Sequence, residues 1–137
     1  MAVTLVDSNV LIDLLTEDPH WFTWSSQALE EAASHGRLAI NPLIYTEVSV
    51  QFDRIEDLDD ALHPDDFVRL PLPWDAGFLA GKGFLHYRRA GGTRRSPLPD
   101  FYIGAHAALS AMPLLTRDPR RYRRHFPRLA LIAPPSE

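Results

Sequence analysis

The chain contains no cysteine. That removes disulfides, thiolate zinc sites and cysteine nucleophiles together, and it is compatible with a reducing compartment. Lysine is almost missing too, with Lys82 the only one. No stretch approaches the ~20 apolar residues of a membrane span. Asp7 and Asp13 interrupt the first apolar run, and Met1 to Asp7 lacks the basic start of a secretory signal. A cytoplasmic location without membrane contact is the default expectation. The sequence shows no internal repeat, no low-complexity tract and no inter-domain linker. A Gly-x-Ser-x-Gly nucleophile elbow is missing. The nearest approach to a phosphate-binding loop, Gly77-x-x-x-Gly81-Lys82-Gly83, is one residue short, lacks Ser/Thr and lies within a helical pattern.

What is present is an ordinary globular balance: 137 residues, 45% hydrophobic and 23% charged. This suits a single domain over residues 1–137 that buries roughly two-thirds of its unfolded surface. The net charge of −4 argues by itself against non-specific nucleic-acid binding. The average hides a division. Residues 1–80 hold fifteen Asp/Glu against three Arg, a formal −12, whereas residues 81–137 hold eleven Lys/Arg against three acids, a formal +8. Such asymmetry suggests an anionic partner for the basic half, or two halves that face each other.

Val3-Thr-Leu-Val6 reads as a short buried strand ending at Asp7. A short helix follows over Asn9–Leu15. An amphipathic helix over Trp21–His35 stops at Gly36, and Leu38-Ala-Ile40 is a second strand. Asn41-Pro42 is a good helix entry, with Asn as N-cap and Pro at the first helical position, leading to a helix that runs to about Phe52. The acidic segment from Glu56 to Asp66 reads as a solvated short helix and loop. Next come a strand at Phe67–Leu70, a helix at Asp75–Ala90 and a breaker-rich loop at Gly91–Pro99. A helix at Asp100–Ala111, a strand at Pro113–Thr116, a short helix after Asp118-Pro119 and a strand at Leu129–Ile132 complete the chain. Strands alternating with helices imply parallel crossovers, and hence an α/β fold with a covered, mainly parallel sheet. Ligands of such sheets sit beyond the carboxyl ends of the strands.

Three acids fall there by position: Asp7 after the first strand, Asp118 just after the fourth, and Asp100 at the start of a helix. Each also has a plain structural reading as a cap or first-turn charge. Glu47 shares a helix face with Leu43 and Ile44. A carboxylate turned into an apolar face is costly unless it is paired, protonated or bound to a cation; otherwise the helix is rolled so that Glu47 meets solvent. Four carboxylates in one concavity would repel each other and need a cation. Oxygen ligation without cysteine favours Mg²⁺ or Mn²⁺ over Zn²⁺, a site suited to phosphodiester hydrolysis. At least one of the clustered carboxyls should then titrate above its usual range, because like charges disfavour joint ionisation.

Asp7-Ser-Asn-Val-Leu-Ile-Asp13, Glu47 within Ile44-Tyr-Thr-Glu-Val48, Pro99-Asp-Phe-Tyr-Ile-Gly-Ala-His-Ala107 and Leu114-Leu-Thr-Arg-Asp-Pro-Arg-Arg-Tyr122 resemble the four acidic motifs of PIN-domain ribonucleases. The likeness is greatest to the VapC toxins of bacterial toxin–antitoxin modules, and it spans nearly the whole chain in order and spacing. The resemblance implies a three-layer α/β/α sandwich and a Mg²⁺- or Mn²⁺-dependent endoribonuclease. It implies Asp7, Glu47, Asp100 and Asp118 as metal-binding acids, with Thr116 and Asn9 supporting them. It also implies a homodimer, held inactive by a VapB-like antitoxin. Residues 51–73 show no motif of that family.

Arg94, Arg95 and Arg117 flank the acidic motifs and are expected to contact RNA phosphates. Trp21, Phe22 and Trp24 offer faces for bases or for an antitoxin helix, but core packing of at least two of them is the simpler expectation. His106, six residues past Asp100, is read as structural. Two other function classes remain. An aspartyl-phosphate phosphatase or receiver-like domain also places Asp beyond parallel strands, but it calls for a Lys near the phosphate, and Lys82 is mid-helix. A non-catalytic binding module would use the acids only as caps and surface charges.

Overall fold

The β-branched, apolar Val3–Val6 forms strand β1 and buries its last three residues. In the computed structural model, which describes residues 2–91 and 98–135, it is followed by α1 (Ser8–Leu15), α2 (Phe22–His35), β2 (Arg37–Ile40), α3 (Pro42–Ser49), α4 (Ile55–Ala61), β3 (Phe67–Arg69), α5 (Trp74–Arg89), α6 (Leu98–Leu109), β4 (Leu114–Leu115), α7 (Arg120–Arg123) and β5 (Leu131–Ile132). The elements match the expected series. α3 ends sooner than the sequence pattern suggests, at Ser49, and β5 begins later, at Leu131. Leu129 is instead held in a turn, its amide donating to the Phe126 carbonyl.

The five strands form one sheet in the order β3-β2-β1-β4-β5, and every pairing is parallel. Expected as mainly parallel, it is wholly so among the described residues. Helices α1 to α4 pack in one series and α5 to α7 in another, with α3 and α6 also in contact, and right-handed crossovers put the two series on opposite faces of such a sheet. Leu5, Val6, Ala39, Ile40, Leu114 and Leu115 are sealed between them. That explains why the strands read as continuous apolar runs rather than as alternating ones.

Two glycines are set by close approach. A Cβ at Gly36, where α2 stops, would stand 2.3 Å from the Ala2 carbonyl oxygen at the start of β1. One at Gly104 would stand 2.6 Å from the Phe126 ring, so α6 can lie against that ring only because residue 104 has no side chain.

The aromatic expectation for α2 needs correction. Trp21 and Trp24 are half-buried and Phe22 is exposed, so none of the three belongs to the sealed core. Helix α2 turns only Ser25 and Ala32 fully inward. On α5, Leu79 and Tyr87 pack on the core as its apolar pattern suggests, whereas Phe78 and Leu85 are exposed. The helix meets the core through the small Ala76 and Ala80. No helix among the described residues is long and apolar enough to cross a membrane.

Candidate active site

The chain moves from β1 to β2 in one direction across the sheet, while β4 lies on the other side of β1. The strand order therefore reverses between β1 and β4, and a crevice opens beyond the carboxyl ends of strands at such a point. Asp7 follows β1 there, and Thr116, Arg117 and Asp118 follow β4. The Asp7 amide donates to the Leu115 carbonyl at 2.8 Å, which ties the two strand ends together.

Asp7 is the N-cap of α1 and only 2% exposed. Its Oδ1 accepts from the Ser8 amide at 2.8 Å, and its Oδ2 accepts from the hydroxyls of Thr116 at 2.9 Å and Tyr122 at 2.8 Å. The Thr116 hydroxyl in turn accepts from Asn9 Nδ2 at 3.2 Å and from the Asp118 amide at 3.1 Å. Asn9 Oδ1 accepts from the Arg117 amide at 3.3 Å. The two supporting residues, Thr116 and Asn9, thus stitch the β1–α1 turn to the β4–α7 turn.

Glu47 is half-buried on α3 and accepts from the Ser8 hydroxyl at 3.0 Å. The helix is rolled so that this carboxylate meets α1 rather than open solvent. The entry to α3 is built as expected: Asn41 Oδ1 accepts from the Ile44 amide, and Pro42 occupies the first turn. The Asn41 amide also lies 3.1 Å from Nδ1 of buried His106. With Asn41 Nδ2 as donor, His106 is a neutral acceptor, and burial lowers its pKa. The structural reading of His106 agrees with this.

Asp100, in the first turn of α6, is 3% exposed. Asp118 is about one-third exposed. The plain cap reading of Asp118 fails, because Pro119 is the N-cap of α7 and receives no side-chain bond. The Asp118 carboxylate instead pairs with Arg121, Nε to Oδ2 at 2.8 Å, and the same guanidinium lies 3.6 Å from Asp100 Oδ2.

The electrostatics of the cluster follow from burial and like charge. Burial raises the Asp7 carboxyl, and the three donors only partly offset this. Glu47 is raised by burial, with Asp7 and Asp100 adding repulsion. Asp100 is pushed up to about 6, first by burial and then by the charges of Asp7 and Asp118, against the pull of Arg121. Raised carboxyls, expected for at least one member of the cluster, occur at three.

The four acids share one end of the sheet without closing into a cage. Among the described residues, no group of three acidic or imidazole side chains stands close enough to enclose an ion. A guanidinium, held by two of the carboxylates, supplies the positive charge instead. The donor chemistry nonetheless fits a hard divalent cation: the ligands are oxygens only, and two of the carboxylates already hold the positive charge of Arg121.

Arg117 is placed differently from the expected phosphate contact. Its Nε donates to Oδ2 of fully buried Asp13 at 2.8 Å, beside a bond from the Ser25 hydroxyl, and its guanidinium lies 5.6 Å from the centre of the Trp21 ring. It thereby braces the α1–α2 junction. Arg94 and Arg95 lie outside the described residues. Lys82, which a phosphoaspartate site would need nearby, is exposed on α5 with its ammonium 5.2 Å from the Phe78 ring centre.

Sequence reasoning singled out neither Ser8 nor Tyr122 nor, among the arginines, Arg121. The available signals were adjacency of Ser8 to Asp7, and spacing: Arg121 and Tyr122 lie three and four residues after Asp118, on the same side of a helix turn.

The PIN domain family matches residues 4–127 of the chain. No curated protein matches it. Among solved structures, it is similar to VapBC2 from Rickettsia felis bound to a DNA fragment from its promoter, at 17% identity over 97% of this chain and 99% of that chain, with a TM-score of 0.72. It is similar to a toxin–antitoxin complex from Klebsiella pneumoniae, at 23% identity over 98% and 99% of the two chains, TM-score 0.70. A third likeness is to VapBC-5 from Mycobacterium tuberculosis, at 22% identity over 97% and 98%, TM-score 0.59. At these identities the likeness is one of fold, and it establishes the α/β/α sandwich expected from the motifs.

Proposed function

This chain belongs to the PIN domain family, and from that premise we propose that it is a metal-dependent endoribonuclease acting as the toxin of a VapBC-type module. The observation that carries the reading is a juxtaposition. Three buried or half-buried carboxylates with raised proton affinity and a fourth, Asp118, gather where β1 and β4 end. Directly beside them runs α7, with Arg120, Arg123 and the adjoining Arg124 exposed. An acidic pocket bordered by arginines suits a polyanion whose phosphate must be drawn towards carboxylates.

In this reading Asp7, Glu47, Asp100 and Asp118 would hold Mg²⁺ or Mn²⁺. Such an ion would supply Lewis acidity towards a phosphodiester and the attacking water. The chain's own residues do the rest. Thr116, Tyr122 and the Ser8 amide orient Asp7. The Ser8 hydroxyl orients Glu47 through one carboxylate oxygen, and the other side of this half-buried carboxylate is placed to take a proton from water. Arg121 is placed to exchange its carboxylates for a substrate phosphate. Arg94 and Arg95 are further candidate phosphate contacts, as are the guanidinium nitrogens of Arg117 other than the Nε that bonds Asp13. The partner is a VapB-like antitoxin, in keeping with the toxin–antitoxin complexes whose fold the chain shares, and the assembly is a homodimer as the family resemblance implies.

The test is cleavage of RNA by the purified protein with Mg²⁺ or Mn²⁺, with EDTA, and in the Asp100→Asn variant. Cleavage is expected only in the wild-type protein with metal. Undiminished cleavage in EDTA, or by folded Asp100→Asn, would overturn the proposal.

A further inference from the structure

Tyr122 is a fully buried side chain whose hydroxyl donates to Asp7 at 2.8 Å. The ring has little freedom to withdraw. It is carried on α7, whose Pro119 carbonyl accepts the Tyr122 amide at 3.1 Å, and a Cβ at Gly104 of α6 would stand 3.1 Å from its Cδ1. The helix that presents Asp100 therefore also grips the ring that addresses Asp7.

Each oxygen of an ionised carboxylate offers two acceptor directions. On Asp7 the oxygen facing Tyr122 receives two hydroxyls, one from Tyr122 and one from Thr116, and has none left. Among the described residues, the other oxygen receives the Ser8 amide alone and keeps one direction open. We infer that Tyr122 is a positioning residue which, with Thr116, saturates one oxygen of Asp7 and so limits Asp7 to a single, monodentate bond to a divalent cation through the oxygen beside the Ser8 amide. The inference rests on the metal-dependent reading above and deepens it. A phenylalanine at 122 would fill the same volume and leave the second oxygen with a free direction. The hydroxyl, not the ring, carries the role.

Two measurements test this without RNA. Mn²⁺ affinity, read by electron paramagnetic resonance on the purified chain, is expected to weaken about tenfold or more in Tyr122→Phe, the usual cost of losing a partner that orients a metal ligand. Thr116→Val should behave likewise and Thr116→Ser should retain wild-type affinity, with circular dichroism confirming the fold of each. In crystals soaked with Mn²⁺, the ion should meet Asp7 only through the oxygen beside the Ser8 amide. Chelation by both oxygens, coordination through the oxygen facing Tyr122, or unchanged Mn²⁺ affinity in Tyr122→Phe would overturn the inference while leaving the nuclease reading intact. A wild-type chain that binds no Mn²⁺ would overturn both.

Discussion

Asp7 and Asp118 occupy equivalent places, each just beyond the carboxyl end of one of two neighbouring parallel strands, yet they are held in opposite ways. Asp7 is buried and fixed by three donors, from α1, from the turn after β4 and from α7. Asp118 is partly exposed, and its carboxylate is paired with an arginine that is itself about half exposed. One wall of the site is thus built by folding, and the other is completed by a counter-charge. The difference follows from the solvent each meets. A carboxylate can be buried only if its lone pairs are met by donors, whereas an exposed one needs no such fixing and exchanges partners at little cost.

The largest effect should come from the prebuilt wall. Asp7→Asn is expected to lower metal-dependent RNA cleavage more than about 100-fold, beyond the 10–100-fold typical of losing a mere supporting partner. Asp118→Asn should leave measurable turnover. Single-turnover rates for the two variants decide this, and equal losses would erase the contrast.

Next in size is the stability held at Asp100, which faces both walls. Its folded-state pKa, about 6, exceeds its ordinary value of 3.8, so the folded chain binds that proton more tightly than the unfolded chain does. The contribution of this carboxyl to stability without metal should therefore be fully present below about pH 4 and be lost as pH rises through 6. Asp100→Asn removes the penalty, worth at most about 3 kcal/mol at pH 7. In chelator it should melt above the wild type at pH 7 and approach it below about pH 4. A pH-independent gap between the two would place the carboxyl outside the shared field.

The counter-charge is tested by Arg121→Gln. Melting in EDTA should fall, by no more than about 1 kcal/mol for so exposed a pair, and saturating Mn²⁺ should restore it. A loss that persists with Mn²⁺ would make Arg121 a packing residue rather than a stand-in cation. A change of similar size belongs to Ser8→Ala, which removes one donor from Glu47. It should cost about 1 kcal/mol and leave cleavage within tenfold of wild type; complete inactivity would show that the Glu47 wall is as finely fixed as that of Asp7.

Much of the fold was legible in the residues, and for local reasons. Asn41-Pro42 opens a helix whatever surrounds it, Gly36 stops one, and short β-branched runs between helical patterns imply buried parallel strands. The acids could be placed because parallel crossovers put the residue after each strand at the same end of the sheet. The roles of Ser8, Tyr122 and Arg121, and the commitment of Arg117 to Asp13, were not legible, because each is a contact between segments some 40 to 115 residues apart or a choice of rotamer on a short helix. The aromatic residues of α2 misled for a related reason: their spacing shows which face they share, but not that small Ser25 and Ala32 meet the layer beneath.

Local propensity and apolar periodicity, which act over a few residues, suffice to write down the α/β order of this chain and the strand ends at which its acids stand. Which oxygen of Asp7 is left open, and which cation its neighbours hold, depends on hydrogen bonds and charges that meet only after β1 and β4 lie side by side. Those interactions are directional and long-range in sequence, so tertiary packing alone decides them.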